Sequence, residues 1–441
     1  MAGLRPASLD LRTDEFRDLV KRSREVVLLA ALTGAITGAF VRYFEYVVVE
    51  LLFHALEEAN WVWSLFVPGL GLVVAALLLR LVGNGVSPAT SDEYLRAFHD
   101  SEYPLRWRAF LARTGAAVAT LGSGGAMGLE GPSMYAGSAI GAAIQRRLPA
   151  PFRGADYRTL LVAGAAAGVA AIFKAPATGA IFALEVPFRD QMARRMLLPA
   201  LVASASGYLT FVLLAERNTD PLFIVTGDDR SGSLFRFVDL FGATLVGIGC
   251  AVGARLFSKL MRDAKALTLR PIGARLIGAG ATMTLIVLAT RVLTADNGNP
   301  ADGESLTLGS GYNVIAWLGD PGHALWLLVC IFFLRMFATA TTLAGGGVGG
   351  VFIPLVVSGA IVGRAVGSVF DTVDPQLYVL LGIAAFLGAG YRVPLASVMF
   401  VAEATGQPGF IVPALFAAVA ADLVMGDVSI TGFQRTTSSP V

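Results

Sequence analysis

Residues 122–141 read GSGGAMGLEGPSMYAGSAIG, and residues 344–363 read AGGGVGGVFIPLVVSGAIVG. With Pro132 laid on Pro354, Gly137 falls on Gly359 and Gly141 on Gly363, at offsets of five and nine in both copies. The match continues downstream. FKAPATGAIFALE (173–185) lies on YRVPLASVMFVAE (391–403), placing Glu185 and Glu403 each nine residues after their proline. The two prolines of a copy are 44 residues apart in the first and 40 in the second. A repeat with several matched anchors in an apolar chain points to a transporter built from two related halves, with its site where helices are broken.

The composition is that of a membrane protein. Of 441 residues 55% are hydrophobic and 15% charged, against about 25% charged in a soluble domain; mean hydropathy is +0.67. Apolar runs occupy Val26–Val41, Leu65–Val82, Leu197–Leu214, Phe241–Leu256, Leu276–Leu293 and Ala324–Phe337. Several are long enough to cross roughly 30 Å of hydrocarbon. Others are short or interrupted by Gly and Pro, which is tolerated at membrane depth only where the freed backbone is buried in protein or lines a cavity. The reading is an all-α membrane protein of two related halves with broken helices. Residues 1–25 form an N-terminal segment, 26–215 the first repeat, 216–236 an extramembrane connection, 237–434 the second repeat and 435–441 a short tail.

Other features exclude more than they propose. Net charge is +2, so no nucleic-acid footprint is present. Cys250 and Cys330 sit in apolar runs and read as core residues, not a disulfide. Arg5, Arg12, Arg17, Lys21, Arg22 and Arg24 precede the first apolar run, which by the positive-inside rule puts the amino terminus in the cytoplasm of a multi-pass protein of the inner or plasma membrane. His54, His99 and His323 share no metal-ligand spacing. No nucleotide loop or nucleophile–base set appears, so neither an enzyme nor a cofactor is expected.

In GLEGP, Gly128 and Gly131 let an ion approach the main chain closely. Pro132 suits the first turn of a helix. The helix starting there turns unpaired N–H groups and a partial positive charge toward Glu130 and Gly131. GGVFIP repeats the device with Gly349, Gly350 and Pro354. Two helix starts meeting near mid-membrane make an anion site without a fixed cation, and Glu130 at its mouth can compete with a permeating ion and leave when protonated. A sodium-coupled carboxylate carrier would instead want a cluster of unwound carbonyls.

At these residues the chain resembles the CLC family of chloride channels and proton-coupled chloride antiporters. Gly128–Pro132 is similar to the family's GREGP or GKEGP motif, Gly349–Pro354 to its GxFxP motif, and Ala165–Glu185 to a further family stretch. The resemblance implies the CLC fold, with two inverted-topology repeats of tilted and broken helices, lipid around it, and a homodimer with one pore per subunit. It makes Glu130 the gating glutamate. The backbone around Glu130 and Gly131 would hold an outer anion, and the N–H groups of Val351 and Phe352 a central one.

Departures from the family pattern are specific. Leu129 stands where most members carry Arg or Lys. Asn84, in Gly83-Asn84-Gly85-Val86-Ser87-Pro88, takes the place of an anion-binding serine; it either donates to the anion or caps a turn, and Ser87 is the substitute donor if the loop shifts. No tyrosine follows Asp427, and alignment puts Thr431 where the family's central tyrosine is expected. Val186 replaces an inner proton-transfer glutamate, while Glu185 and Glu403 read as structural groups closing helix ends. Arg335, inside an apolar run, faces protein or a water-filled entry and is expected to draw anions to the inner mouth, the alternative being a buried pairing role. The reading that follows is chloride-like anion transport gated by Glu130, channel-like or weakly coupled to protons. The alternative is a proton-coupled antiporter, with fluoride export as one form.

Overall fold

The structure is a computed structural model describing residues 13–149, 156–216, 237–295, 305–320, 322–369, 375–406 and 408–436. Among these, seventeen α-helices and short 3-10 and π-helical turns make up the regular structure. Seven helical stretches are long and apolar enough to cross a membrane: Glu25–Glu58, Trp63–Leu81, Arg194–Leu214, Phe237–Leu267, Ile272–Thr294, Leu325–Ala344 and Phe352–Val369.

The first repeat begins with α1 (Thr13–Glu45), which widens into a π-helix over Tyr46–Phe53 and continues as α2 (His54–Glu58). At 33 residues α1 is about 50 Å long, more than the thickness of a bilayer core. The expected boundary at residue 25 is therefore not a structural one, because helix already runs from Thr13. Next come α3 (Trp63–Leu81), α4 (Ser91–His99), α5 (Trp107–Gly122), α6 (Glu130–Arg147), α7 (Arg158–Phe173), α8 (Pro176–Glu185) and α9 (Leu197–Leu214). The second repeat holds α10 (Phe237–Leu267), α11 (Ile272–Thr294), α12 (Tyr312–Trp317), α13 (Leu325–Ala344), α14 (Phe352–Val369), α15 (Pro375–Tyr391), α16 (Pro394–Thr405) and α17 (Ile411–Met425). Most of the 216–236 connection, from residue 217 on, and residues 1–12 and 437–441 lie outside the described residues.

The halves pack alike. α6 lies on α7 as α14 lies on α15; α1 on α9 as α10 on α17. Glycine sets the closeness of the first two pairs. A Cβ on Gly137 would stand 2.0 Å from the Gly164 carbonyl oxygen, and one on Gly359 would stand 2.2 Å from that of Gly382. Both breaks between the paired short helices follow one rule. Lys174 and Arg392 take positive φ, 51° and 57°, and Pro176 and Pro394 then start α8 and α16 afresh.

Each of those restarted helices is capped by the other half. Glu403 accepts the N–H groups of Ala177 (2.9 Å) and Thr178 (2.7 Å) at the start of α8. Glu185 accepts those of Leu395 (3.3 Å) and Ala396 (3.0 Å) at the start of α16. The two acids close helix ends at the interface between halves, in the manner expected from the repeat. Cys250 is buried, Cys330 half-buried, and both are free.

Candidate functional site

The site grows from the loops that end α5 and α13. Gly124 and Gly346 turn the chain at φ 88° and 84°. Gly125 N–H then returns to the Thr120 carbonyl and Gly347 N–H to that of Thr342, both at 2.9 Å. The side chains of the same threonines reach across. Thr120 Oγ1 accepts Val348 N–H, and Thr342 Oγ1 accepts Ala126 N–H, each at 3.1 Å. The loops finally join as a two-residue antiparallel bridge, Gly128 N–H to Gly350 O at 2.8 Å and Gly350 N–H to Gly128 O at 2.7 Å. Every contact has its mirror, so a pseudo-two-fold axis runs through the bridge.

Glu130 opens α6 immediately beyond it and is 3% exposed. Its Oε1 accepts the N–H of Phe352, at the start of α14, at 2.7 Å and 222 residues away. Oε2 is equally buried and has no hydrogen-bond partner. A charge left half-satisfied in the interior costs several kcal/mol, partly offset by the N–H groups and dipole of α14. The glycines make the room. A Cβ on Gly128 would stand 1.9 Å from Oε2, and one on Gly350 2.0 Å from Oε1. Around the donor, Phe352 is enclosed by Phe173, Phe182 and Phe400, ring centroids 4.5–5.2 Å apart. This apolar wall fixes α14 and lowers the local dielectric, which strengthens whatever binds its first N–H groups.

Two cavities flank this point. The first, about 670 Å³, is lined by Leu129, Met127, Glu57, Tyr312 and Asp320 and, among the described residues, carries no lysine or arginine. The second, about 750 Å³, reaches Gly350, Val351 and Tyr391 and carries Arg96, Arg189, Arg262 and Lys265 against Asp92 and Asp427. Met127 lines both. Glu130 thus stands at the partition between a weakly acidic vestibule and a basic one.

Several predicted residues lie elsewhere. Asn84 occupies an exposed turn at φ 57° and is not part of the second cavity's lining; of its two readings the turn is the one seen. Ser87, Thr90 and Ser91, before and at the start of α4, do line that cavity. Thr90 Oγ1 is 2.6 Å from where a Cβ of Gly131 would sit, and it faces the Gly349 carbonyl at 3.4 Å. Thr431 does line the second cavity, but its hydroxyl proton is committed to Asp92 Oδ1 at 3.0 Å.

A tyrosine from another helix does line the second cavity: Tyr391, the last residue of α15, together with Ser91 and Val351. It was legible only as the repeat partner of Phe173, in YRVP against FKAP. Arg335 is not at an inner mouth. It is 1% exposed and donates to the carbonyls of Leu308 (2.9 Å) and Gly309 (2.6 Å), holding the loop that lines the first cavity. Val186 is buried, and its carbonyl accepts from Gln434 Nε2 at 3.0 Å.

Two facing helix starts, with a carboxylate from one seated on the other, coincide with a sequence match. The family model described as "Voltage gated chloride channel" covers residues 71–426. The chain belongs to that family, the CLC proteins. Its curated CLC relatives include the H(+)/Cl(−) exchange transporter ClcA of Cronobacter sakazakii, 26% identical over 94% of this chain and 90% of the relative. ClcA of Vibrio campbellii is 26% identical over 91% of this chain and 86% of the relative. Among CLC structures, a CLC-type fluoride/proton antiporter superposes with TM-score 0.78 over 93% of this chain and 98% of that one, at 21% identity. A slow cyanobacterial Cl−/H+ antiporter gives 0.74 over 91% and 94%, at 20% identity. These confirm the all-helical CLC fold of a multi-pass membrane protein. The relatives are exchangers, so the channel-like flow expected first is the reading they do not support, and the antiporter alternative is the better one.

Proposed function

We propose that the protein exchanges chloride for protons across its membrane, with Glu130 as the group that chloride and proton both use. The observation that carries this is the carboxylate on the Phe352 N–H, buried between two cavities with one oxygen unsatisfied. Ionised, Glu130 holds the donors an anion needs and blocks the partition. A proton on Glu130 removes its charge and its claim on those donors, and an anion then takes them. The side chain departs with its proton toward the first cavity and returns ionised when the proton is released. One side chain occupying the anion's place thus links opposite flows of the two ions. Gly131, Val351 and Phe352 offer backbone N–H groups to the anion, with the Tyr391 hydroxyl bounding the site from the second cavity.

The second cavity is assigned to the cytoplasm. Its four basic residues agree with the positive-inside rule that also places the amino terminus there. The basic lining raises the local anion concentration.

The test is flux from proteoliposomes with chloride and pH followed together. The wild-type protein should drive protons uphill against a chloride gradient. Since protonation opens the gate, chloride flux should rise as pH falls. E130Q should carry chloride with little pH dependence and move no protons. A mutant that keeps wild-type proton movement would remove Glu130 from the mechanism. Running fluoride beside chloride identifies the preferred anion.

A further inference from the structure

We propose that the α10–α11 hairpin carries a binding site for anionic phospholipid, with Lys259 and Arg262 clamping the headgroup phosphate; its effect on transport rests on the exchange reading above. Residues 255–275 hold six basic side chains, Arg255, Lys259, Arg262, Lys265, Arg270 and Arg275, and one acid, Asp263. Three of the six are engaged. Arg255 donates to the Met425 carbonyl, Arg275 to the Thr268 carbonyl and Lys265 to Asp92, each at 2.9 Å. Lys259, Arg262 and Arg270 are exposed and have no side-chain partner among the described residues. Asp263, exposed beside Arg262, pairs with none of them there.

The depth of these side chains follows from the apolar faces that adjoin them. α10 exposes Phe241, Ile248, Val252 and Leu256, and α11 exposes Ile277, Leu285 and Val292. Phe241 to Leu256 and Ile277 to Val292 each rise about 23 Å, most of a hydrocarbon core of roughly 30 Å. Lys259 follows Leu256 by three residues on the same stripe of α10, and Arg262 follows Lys259 by three. The face of α10 thus turns from apolar to basic within two helical turns, at headgroup level. Side chains three apart are neighbours on a helix, so one phosphate can accept from the ammonium and the guanidinium together. A basic cluster flanking a membrane span attracts anionic lipid. A zwitterionic headgroup brings its own cation and needs no such clamp.

Docking here touches the transport pathway. Arg262 lines the second cavity with Met261, Lys265 and Thr268, so it borders both the lipid face and the cavity. A phosphate held by Arg262 cancels one of the four cations of that lining and weakens its draw on anions. Anionic lipid therefore acts as a brake on anion entry.

The experiment reconstitutes the full chain in phosphatidylcholine vesicles with and without phosphatidylglycerol, and follows lipid association by electron paramagnetic resonance of spin-labelled lipids. The wild-type protein should select phosphatidylglycerol over phosphatidylcholine about threefold, and K259Q/R262Q should bring that ratio below about 1.5. A wild-type protein without selectivity, or a double variant as selective as wild type, overturns the proposal. Chloride flux gives a second reading. Surface potential lowers chloride at the membrane equally for every variant, so the comparison is with K259Q, whose side chain lies outside the cavity lining. Phosphatidylglycerol should slow the wild-type protein about threefold more than it slows K259Q; equal slowing overturns the brake. Soluble glycerol 3-phosphate added to phosphatidylcholine vesicles should leave flux unchanged, and inhibition by it overturns docking of a lipid. Lipid association does not depend on transport, so a wild-type protein that selects the lipid and moves no protons overturns the exchange reading alone.

Discussion

Three carboxylates of this chain reach across to a helix start in the opposite half, and their bonding separates their roles. Glu185 and Glu403 spend both oxygens on backbone N–H groups. Glu130 spends one. A fully engaged carboxylate has nothing to gain by leaving, whereas a half-engaged one is held by a single bond and its charge. Tyr391 is the residue-scale complement. It lines the second cavity with Val351, the residue before the Phe352 whose N–H Glu130 holds. Tyr391→Phe should cost the bound anion one hydrogen bond, about 1 kcal/mol, read as a roughly fivefold weaker chloride affinity in titration calorimetry. Glu130 was legible in the sequence because a carboxylate between glycines before Pro132 has few structural uses in an apolar chain. Tyr391 was not, because a sequence does not say which side chains of distant helices share a cavity. Asn84 shows the converse. An amide at the expected position was spent on a left-handed turn, a conformation Asn tolerates.

At the scale of elements, two pieces of backbone chemistry position the site: helix restarts at proline and glycine seams. The α6–α7 seam allows no side chain at Gly137. Gly137→Ala should force the helices apart at a cost of about 1–3 kcal/mol, seen as a lower melting temperature in detergent. Gly278→Ala is the control, since a Cβ there meets nothing within 4 Å and replacing a helical glycine is stabilising by about 0.5–1 kcal/mol. Glu403→Gln should also lower the melting temperature, because the α8 N–H groups lose a charged acceptor worth about 1–2 kcal/mol more than a neutral one. Breaks between short helices were legible from FKAP and YRVP. The length of α1 was not, since its first turns, from Thr13 on, are rich in charge and lie ahead of the apolar run that marks the span, with only Phe16, Leu19 and Val20 at helical spacing.

At the scale of the molecule, the twofold organisation was legible from the repeat alone, whereas partners were not, because a single chain does not show which apolar face meets lipid and which meets protein. α9 and α17 expose Leu209, Leu213, Phe416, Val419 and Leu423. The CLC resemblance suggests that these faces bury a second copy, giving a homodimer with a complete pore in each subunit. Light scattering in detergent should then report twice the chain mass of 46.1 kDa. A tryptophan substitution at Leu423 should shift the mass toward monomer while flux per chain persists. Monomers alone at high protein concentration would count against the dimer.

The Gly128–Gly350 bridge joins the halves by a contact in which each side plays both donor and acceptor, as do the crossed threonines beside it. That is the arithmetic of an isologous interface, here folded into one polypeptide. Two copies of one half-length ancestor could have formed the same joint before fusion. Once the halves were joined, selection was free to place an acid at one helix start and an aromatic residue at the other, so that a symmetric frame came to hold an asymmetric gate.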